Sequence, residues 1–212
     1  MKPKAIFFDV DGTIIPLEVA IKTFQETCRH FHIKVIASKK LWNDAIGYKL
    51  NETIQKMIPD AMPIEKKFMK YFEENQIKNF KKYGKLIPHV KSALEYIHNK
   101  GIRIGIVTTK KRSEALAILN GYRIHYNALV AGDDVRNRKP HPESVLKACE
   151  DVETRPRFCI FVGDHPFDMM AAKSAGCYAI GVLTGWGNEK NLKDSGADYI
   201  IKDLRGLIKL IE

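Results

Sequence analysis

Two aspartates separated by one residue, Asp9 and Asp11, stand directly after an apolar run, Ala5 to Phe8, and are followed by Gly12 and Thr13. A run this dense reads as a buried strand of a parallel sheet, and functional groups of open α/β sheets collect just beyond the strands' carboxyl ends. One carboxylate there can attack an electrophile while the second trades a proton with the leaving group, and a hard cation would offset the crowding of charge. Gly12 permits a sharp exit from the strand, and the Thr13 hydroxyl is expected to bind back to local backbone. Taken alone, the segment leaves open that two carboxylates merely end a strand, since short motifs recur by accident.

Three further segments change that reading. Ile102 to Val107 is apolar and is followed by Thr108; Lys139 precedes Pro140; Phe158 to Val162 leads into Gly163, Asp164 and Asp168. In this order the four segments resemble the motifs of the haloacid dehalogenase-like hydrolase superfamily: DxDGT, a strand ending in Ser or Thr, a Lys often followed by Pro, and a strand followed by GDxxxD. The resemblance spans nearly the whole chain and points to the phosphatase branch with a helical cap, similar to phosphoglycolate phosphatases. It implies Mg²⁺-dependent hydrolysis of a small phosphorylated metabolite through an aspartyl-phosphate. Asp9 would be the nucleophile, and Asp11 would protonate the leaving group and then deprotonate the attacking water. Thr108 would hold a phosphoryl oxygen, while Lys139 would neutralise the phosphate and keep Asp9 in register. Mg²⁺ prefers oxygen ligands, so Asp9 and Asp164 would supply side-chain oxygens. The resemblance adds the backbone carbonyl of Asp11. Asp168 would support the site from behind, a role compatible with that of an acid at a helix N-terminus. Thr109 and Lys110 follow Thr108 directly and are candidates for reaching the substrate, with solvated loop positions as the alternative.

The elements that must position these residues follow from periodicity. From about Pro16 to Leu86 no strong strand pattern occurs. Leu17, Ile21, Phe24, Cys28 and Phe31 recur at helical spacing, Ser38 and Asn51 fit helix caps, and Pro63 is placed to open a helix carrying Ile64, Phe68, Phe72 and Phe80 on one face. An all-helical insertion after the first strand is what the family calls a cap, giving a core of residues 1–15 and 87–212 and a cap of 16–86, with hinges at the junctions. Within the cap, the stretch around Gly47, Tyr48 and Lys49 resembles the family's specificity loop; Gly47 is equally placed to end a helix. Beyond Leu86, helices are expected over Pro88 to Asn99, Ser113 to Leu119, Pro142 to Cys149, Phe167 to Ala175 and Leu204 to Ile211. Strands are expected over Ile102 to Val107, Ala128 to Ala131, Phe158 to Val162, Tyr178 to Val182 and Tyr199 to Ile201. The alternation predicts an α/β fold, a Rossmann-like parallel sheet with helices on both faces.

Composition narrows the function classes. The chain has 212 residues, 45% hydrophobic and 28% charged, and a formal net charge of +10. No stretch approaches the roughly 18 consecutive apolar residues of a membrane span, and no basic-then-apolar leader opens the sequence, so a cytoplasmic monomer or homodimer away from membranes is expected. The lysines are scattered through helical patterns without any nucleic-acid signature. They read as solvated faces whose field draws small anions rather than nucleic acid. Cys28, Cys149, Cys159 and Cys177 lie far apart without metal-ligand spacing and are expected as buried thiols. The histidines make no zinc spacing either, and His141 and His165 read as loop residues beside the motifs. Trp186, between two glycines, suggests a tight loop near the catalytic edge, with structural packing as its expected role.

Rival readings are weighed on single residues. A dehalogenase needs no second aspartate, so Asp11 argues for phosphate chemistry. The β-phosphoglucomutase-like phosphomutases carry a His soon after the first motif, whereas Ile14 to Thr27 contains none. A non-catalytic phosphate-binding regulatory protein is disfavoured by retention of every catalytic group the resemblance implies. Phosphoglycolate phosphatase-like chains continue DGTL with an aspartate, where this one has Ile14, Ile15 and Pro16. Pyrophosphate, nucleotide monophosphates, glyceraldehyde phosphate and phosphoglycolate therefore all stay open as substrates.

Overall fold

The computed structural model describes residues 3–34, 54–55 and 58–212, which divide into two compact units: the residues up to Pro16 together with those from Lys85 onward, and Leu17–Gly84. The first unit is built on six parallel strands, β1 (Ala5–Phe8), β2 (Arg103–Val107), β3 (Ala128–Val130), β4 (Cys159–Gly163), β5 (Tyr178–Val182) and β6 (Tyr199–Ile201), in the order β3-β2-β1-β4-β5-β6. This is the doubly wound arrangement, in which the strand order reverses between β1 and β4 and leaves a crevice at their carboxyl ends. Parallel register pairs Phe8 with Ile106 on one side and with Val162 on the other.

Alternation along β1 divides the core. Ala5 and Phe7 join Val107, Val130, Phe161 and the buried sides of two helices, Glu143–Asp151 and Pro166–Ala175, in one apolar layer. Ile6 and Phe8 point to the opposite face of the sheet, where helix Val90–Asn99 packs against β2 and against the terminal helix Leu204–Ile211. The expected strands are present with ends displaced by at most one residue. Gly101 and Gly176, both left-handed, end the helices that precede β2 and β5 and so fix where those strands begin. A short helix, Glu189–Asp194, lies outside the expected elements; Asn188 caps it by accepting from Asn191 N at 2.9 Å.

The second unit is helical among its described residues. Two of its helices are α1 (Glu18–His30) and α2 (Glu65–Tyr83), and Phe24 of α1 meets Phe68 and Phe72 of α2 edge-on at ring separations of 5.5 and 6.1 Å. Two expectations need correction. Pro63 lies inside a 3₁₀ turn, Pro59–Ile64, and α2 opens only at Glu65. The buried face of α1 turns toward Val19, Thr23 and Thr27, leaving Ile21 and Phe31 half-buried. Thr23 and Thr27 tolerate burial because their hydroxyls donate to the carbonyls of Val19 and Thr23, each at 2.8 Å. Asn79 of α2 completes this polar seam by donating to Thr23 Oγ1 at 3.1 Å and to Glu26 Oε2 at 2.6 Å.

Phe7 faces Gly105 across the β1–β2 ladder, and a Cβ on Gly105 would lie 2.4 Å from the Phe7 ring. Gly105→Ala is therefore expected to overpack the layer and to lower the unfolding free energy by about 1–3 kcal/mol. Urea denaturation followed by circular dichroism measures this; an unchanged midpoint would contradict the packing described.

Candidate active site

Asp9 is the first residue beyond β1, and its backbone N–H still donates to Val162 O at 3.0 Å, so the strand delivers the carboxylate to the crevice between β1 and β4. The chain then turns sharply. Val10 O accepts from Ile14 N at 2.8 Å and Ile15 N at 3.0 Å, and Gly12 takes a positive φ of 76°. Asp164 follows β4 directly. Its Oδ2 accepts from Trp186 N at 2.8 Å and its Oδ1 from Thr13 Oγ1 at 3.3 Å, while its carbonyl accepts from Gly187 N at 2.8 Å. The Thr13 hydroxyl thus bonds a carboxylate far away in the chain rather than local backbone. Local geometry favours an ST-turn, but the buried Asp164 carboxylate is the stronger acceptor.

Lys139, only 6% exposed, joins the pieces. Its ammonium donates to Asp9 Oδ1 at 2.8 Å, to Asp168 Oδ1 at 2.5 Å and to Val107 O at 3.3 Å, which accounts for all three of its N–H groups. Asp168 sits in the first turn of helix Pro166–Ala175, where its Oδ2 accepts from His165 N at 3.0 Å. His165 in turn accepts from Phe167 N through Nδ1 at 3.1 Å, and burial pushes its pKa down to about 4, helped by the charge of Lys139. It serves as a neutral helix cap. Thr108, one residue past β2, is buried and its hydroxyl accepts from Lys110 N at 3.2 Å.

Lys110 is buried rather than solvated, with its ammonium 3.1 Å from Asp11 Oδ2. The sequence offered no signal for this beyond its position, since Thr109-Lys110-Lys111-Arg112 looks like an exposed basic loop. Thr109 is half-buried beside it. Asp9, Asp11, Thr108, Lys110, Lys139, Asp164 and Asp168 therefore come together at the ends of β1, β2 and β4. Gly47, Tyr48 and Lys49, with Ser38 and Asn51, lie outside the described residues.

The charges do not balance. Among the described residues, Asp9, Asp11, Asp164 and Asp168 face Lys139 and Lys110, a formal excess of two negative charges. Burial raises the pKa of Asp9 despite the opposing Lys139, and that of Asp11 despite Lys110. Asp164 is raised well above the ordinary carboxylate range, by burial first and then by Asp168 and Asp9. Burial would lower the two lysines, but the neighbouring carboxylates outweigh it and both are raised, Lys139 by Asp168 and Asp9, Lys110 by Asp11 and Glu114. A hard dication is what this donor set lacks, and oxygens of Asp9, Asp164 and Asp168 all lie within 4.8 Å of one another. Both Asp168 oxygens are already engaged by Lys139 and His165 N, so Asp9 and Asp164 are the side chains suited to hold Mg²⁺.

A doubly wound parallel sheet with acidic groups after β1 and β4, a threonine after β2 and a lysine pinned between them defines a class of hydrolase. The family model for haloacid dehalogenase-like hydrolases matches residues 6–182, and the chain belongs to that family. It is 32% identical over 216 residues to a candidate pyrophosphatase PpaX of Caldanaerobacter subterraneus subsp. tengcongensis, covering 100% of this chain and 96% of that protein. Phosphoglycolate phosphatase of Escherichia coli K12 is 34% identical over 125 residues, covering 58% of this chain and 50% of the other. Among solved structures, a candidate haloacid dehalogenase-like hydrolase from Bacteroides fragilis has a similar fold, with a TM-score of 0.87 at 24% identity over 97% of this chain and 100% of that one.

The Asp164 carboxylate is seated between two glycines: a Cβ on Gly185 would fall 1.9 Å from Oδ2, and one on Gly12 2.2 Å from it. Gly185→Ala should swing the carboxylate out of place while sparing the core. Mg²⁺ affinity, read by titration calorimetry, is expected to fall by about 10–100-fold, the range for disturbing groups that orient a metal ligand. Wild-type affinity in the variant would mean that Asp164 does not hold the ion.

Proposed function

We propose that this protein is a Mg²⁺-dependent phosphatase that hydrolyses a small phosphorylated metabolite through an aspartyl-phosphate on Asp9, with inorganic pyrophosphate as the favoured substrate. The observation that carries the chemistry is the division of labour between two carboxylates on one turn. Asp9 is held by Lys139 through Oδ1, whereas Asp11 is held apart from it by Lys110. Mg²⁺, held by Asp9, Asp164 and the Asp11 carbonyl, would neutralise charge on the carboxylates and on the phosphoryl group.

In the first half-reaction Asp9 attacks phosphorus, the bond from phosphorus to the leaving oxygen breaks, and Asp11 donates a proton to that oxygen. In the second, Asp11 takes a proton from the water that attacks the aspartyl-phosphate, and phosphate leaves with Asp9 restored. Thr108 donates its hydroxyl to a phosphoryl oxygen, and Lys139 stabilises the charge on the transferred group. Thr109 and Lys110 are proposed to meet the substrate. Residues 16–86 are proposed as the cap, with Gly47, Tyr48 and Lys49 contributing to substrate choice.

Pyrophosphate is favoured over phosphoglycolate because the likeness to the pyrophosphatase covers the whole chain, whereas that to the phosphoglycolate phosphatase covers 58% of it. The excess of basic residues, with a net charge of +10, suits a small polyanion. The deciding measurement is kcat/KM for pyrophosphate, phosphoglycolate and other phosphate esters with Mg²⁺ present. A higher value for an ester would overturn the substrate while leaving the mechanism standing.

Two variants test the mechanism. Asp9→Asn is expected to keep the fold and abolish turnover, measured as phosphate release; residual activity near wild type would exclude Asp9 as nucleophile. Asp11→Asn should slow turnover of an alkyl phosphate by about 10²–10⁴-fold, the usual worth of a general acid and base. The loss should be smaller for p-nitrophenyl phosphate, whose leaving group needs no proton, and equal losses for the two substrates would remove Asp11 from that role.

A further inference from the structure

Three of the four cysteines, remote in sequence, converge in the core of the sheet-bearing unit. Cys149 lies toward the end of helix Glu143–Asp151, Cys159 opens β4 and Cys177 immediately precedes β5. They sit at the starting ends of β4 and β5, the opposite edge of the sheet from Asp164, and the phosphoryl chemistry uses none of them. All are free thiols, no more than 3% exposed. The Cys149 thiol donates to Cys159 Sγ at 3.8 Å and lies 4.0 Å from Cys177 Sγ, and Cys159 and Cys177 also interact through their side chains, so each sulfur has the other two as neighbours. Ala148, Val152 and Ala175 belong to the same apolar layer, so the thiols meet in an apolar setting. Cys177 also borders a surface depression lined by Arg157, Phe158, Lys173, Gly176 and Tyr178.

We propose that this trio is an oxidation site at which a peroxide closes a disulfide between two of its members. A small neutral oxidant reaches Cys177 from the depression. The Cys177 sulfur attacks one peroxide oxygen, the O–O bond breaks, and the products are Cys177 sulfenic acid and water, the thiol proton leaving with the departing oxygen. The Cys149 sulfur then attacks the sulfenic sulfur; the S–S bond forms, the S–O bond breaks, and the hydroxyl leaves as water with the Cys149 proton. Two thiols have lost two electrons and one peroxide has become two waters. Cys159, the other neighbour of Cys149, can exchange into the bridge by attacking Cys149 Sγ and releasing Cys177 as a thiol. Cys159 and Cys177 also interact, so the bridge can settle on any pair of the trio. Cys28, in the helical unit, takes no part.

The test is hydrogen peroxide applied to the folded protein, followed by alkylation and mass spectrometry. The expected result is a mass loss of about 2 Da, a peptide in which two of Cys149, Cys159 and Cys177 are joined, a Cys28 still open to alkylation after unfolding, and full reversal by dithiothreitol. Replacing Cys149 and Cys159 together, Cys149→Ala with Cys159→Ala, should abolish the mass loss and leave Cys177 carrying one or two added oxygens. Cys177→Ala, a milder change at the edge of the cluster, should slow bridge formation at least about 10-fold, because the sulfur that meets the oxidant first is lost. Four alkylatable thiols after peroxide, a mass loss that survives the double substitution, or an unchanged rate in Cys177→Ala would each overturn the proposal.

Discussion

The ammonium of Lys139, buried between Asp9 and Asp168, is the contact on which the site depends. Carboxylates crowded at the end of a parallel sheet repel one another, and burial adds a desolvation cost to every one of them. Lys139 offsets both by touching β1, β2 and helix Pro166–Ala175 at once through its three N–H groups. Removing either partner would strand a buried charge, a loss of about 3–5 kcal/mol. The contact is therefore structural and electrostatic together.

The remaining acids are distributed so that each is held by a different kind of group. Asp11 has an ammonium of its own, that of Lys110. Among the described residues Asp164 is oriented by neutral donors, Thr13 Oγ1 and Trp186 N, and burial, with Asp168 and Asp9 nearby, drives its carboxyl well above the ordinary range. A dication would relieve Asp164 most, because no ammonium contacts it among the described residues. The glycines at 12 and 185 serve the same end, since any side chain there would occupy the space of the Asp164 carboxylate. Orientation by dipoles and small residues keeps that carboxylate available to an ion instead of committing it to a lysine.

Much of this was legible in the sequence. Asp9, Asp11, Thr108, Lys139 and Asp164 stand at the ends of apolar runs or in a fixed order relative to them, and the runs of β1, β2 and β4 are dense because both faces of the sheet are covered. What was not legible depends on partners distant in the chain. Thr13 bonds Asp164, Lys110 pairs with Asp11 from an apparently solvated loop, and the cysteines meet only after the crossovers bring their elements side by side. In the helical unit, Thr23 and Thr27 hide their hydroxyls in their own helix, so a pattern based on polarity places the buried face wrongly. Periodicity reports which faces are apolar; it carries no information about which polar groups find one another.

The same division explains why the family is easier to read than the substrate. On the proposed mechanism Asp9, Thr108 and Lys139 all act on the transferred phosphoryl group, which pyrophosphate and phosphate esters share, and Asp11 meets only the leaving oxygen. None of these groups distinguishes what lies beyond that oxygen. Discrimination by more than about a few kcal/mol requires groups that bond the rest of the leaving group and are left without a partner by the wrong substrate. For pyrophosphate those groups would have to be cationic or N–H donors facing a second phosphate, whereas phosphoglycolate would present a carboxylate of lower charge. Selection between them is consequently a matter of how much positive charge meets the leaving group, and it can change without altering any residue that carries the chemistry.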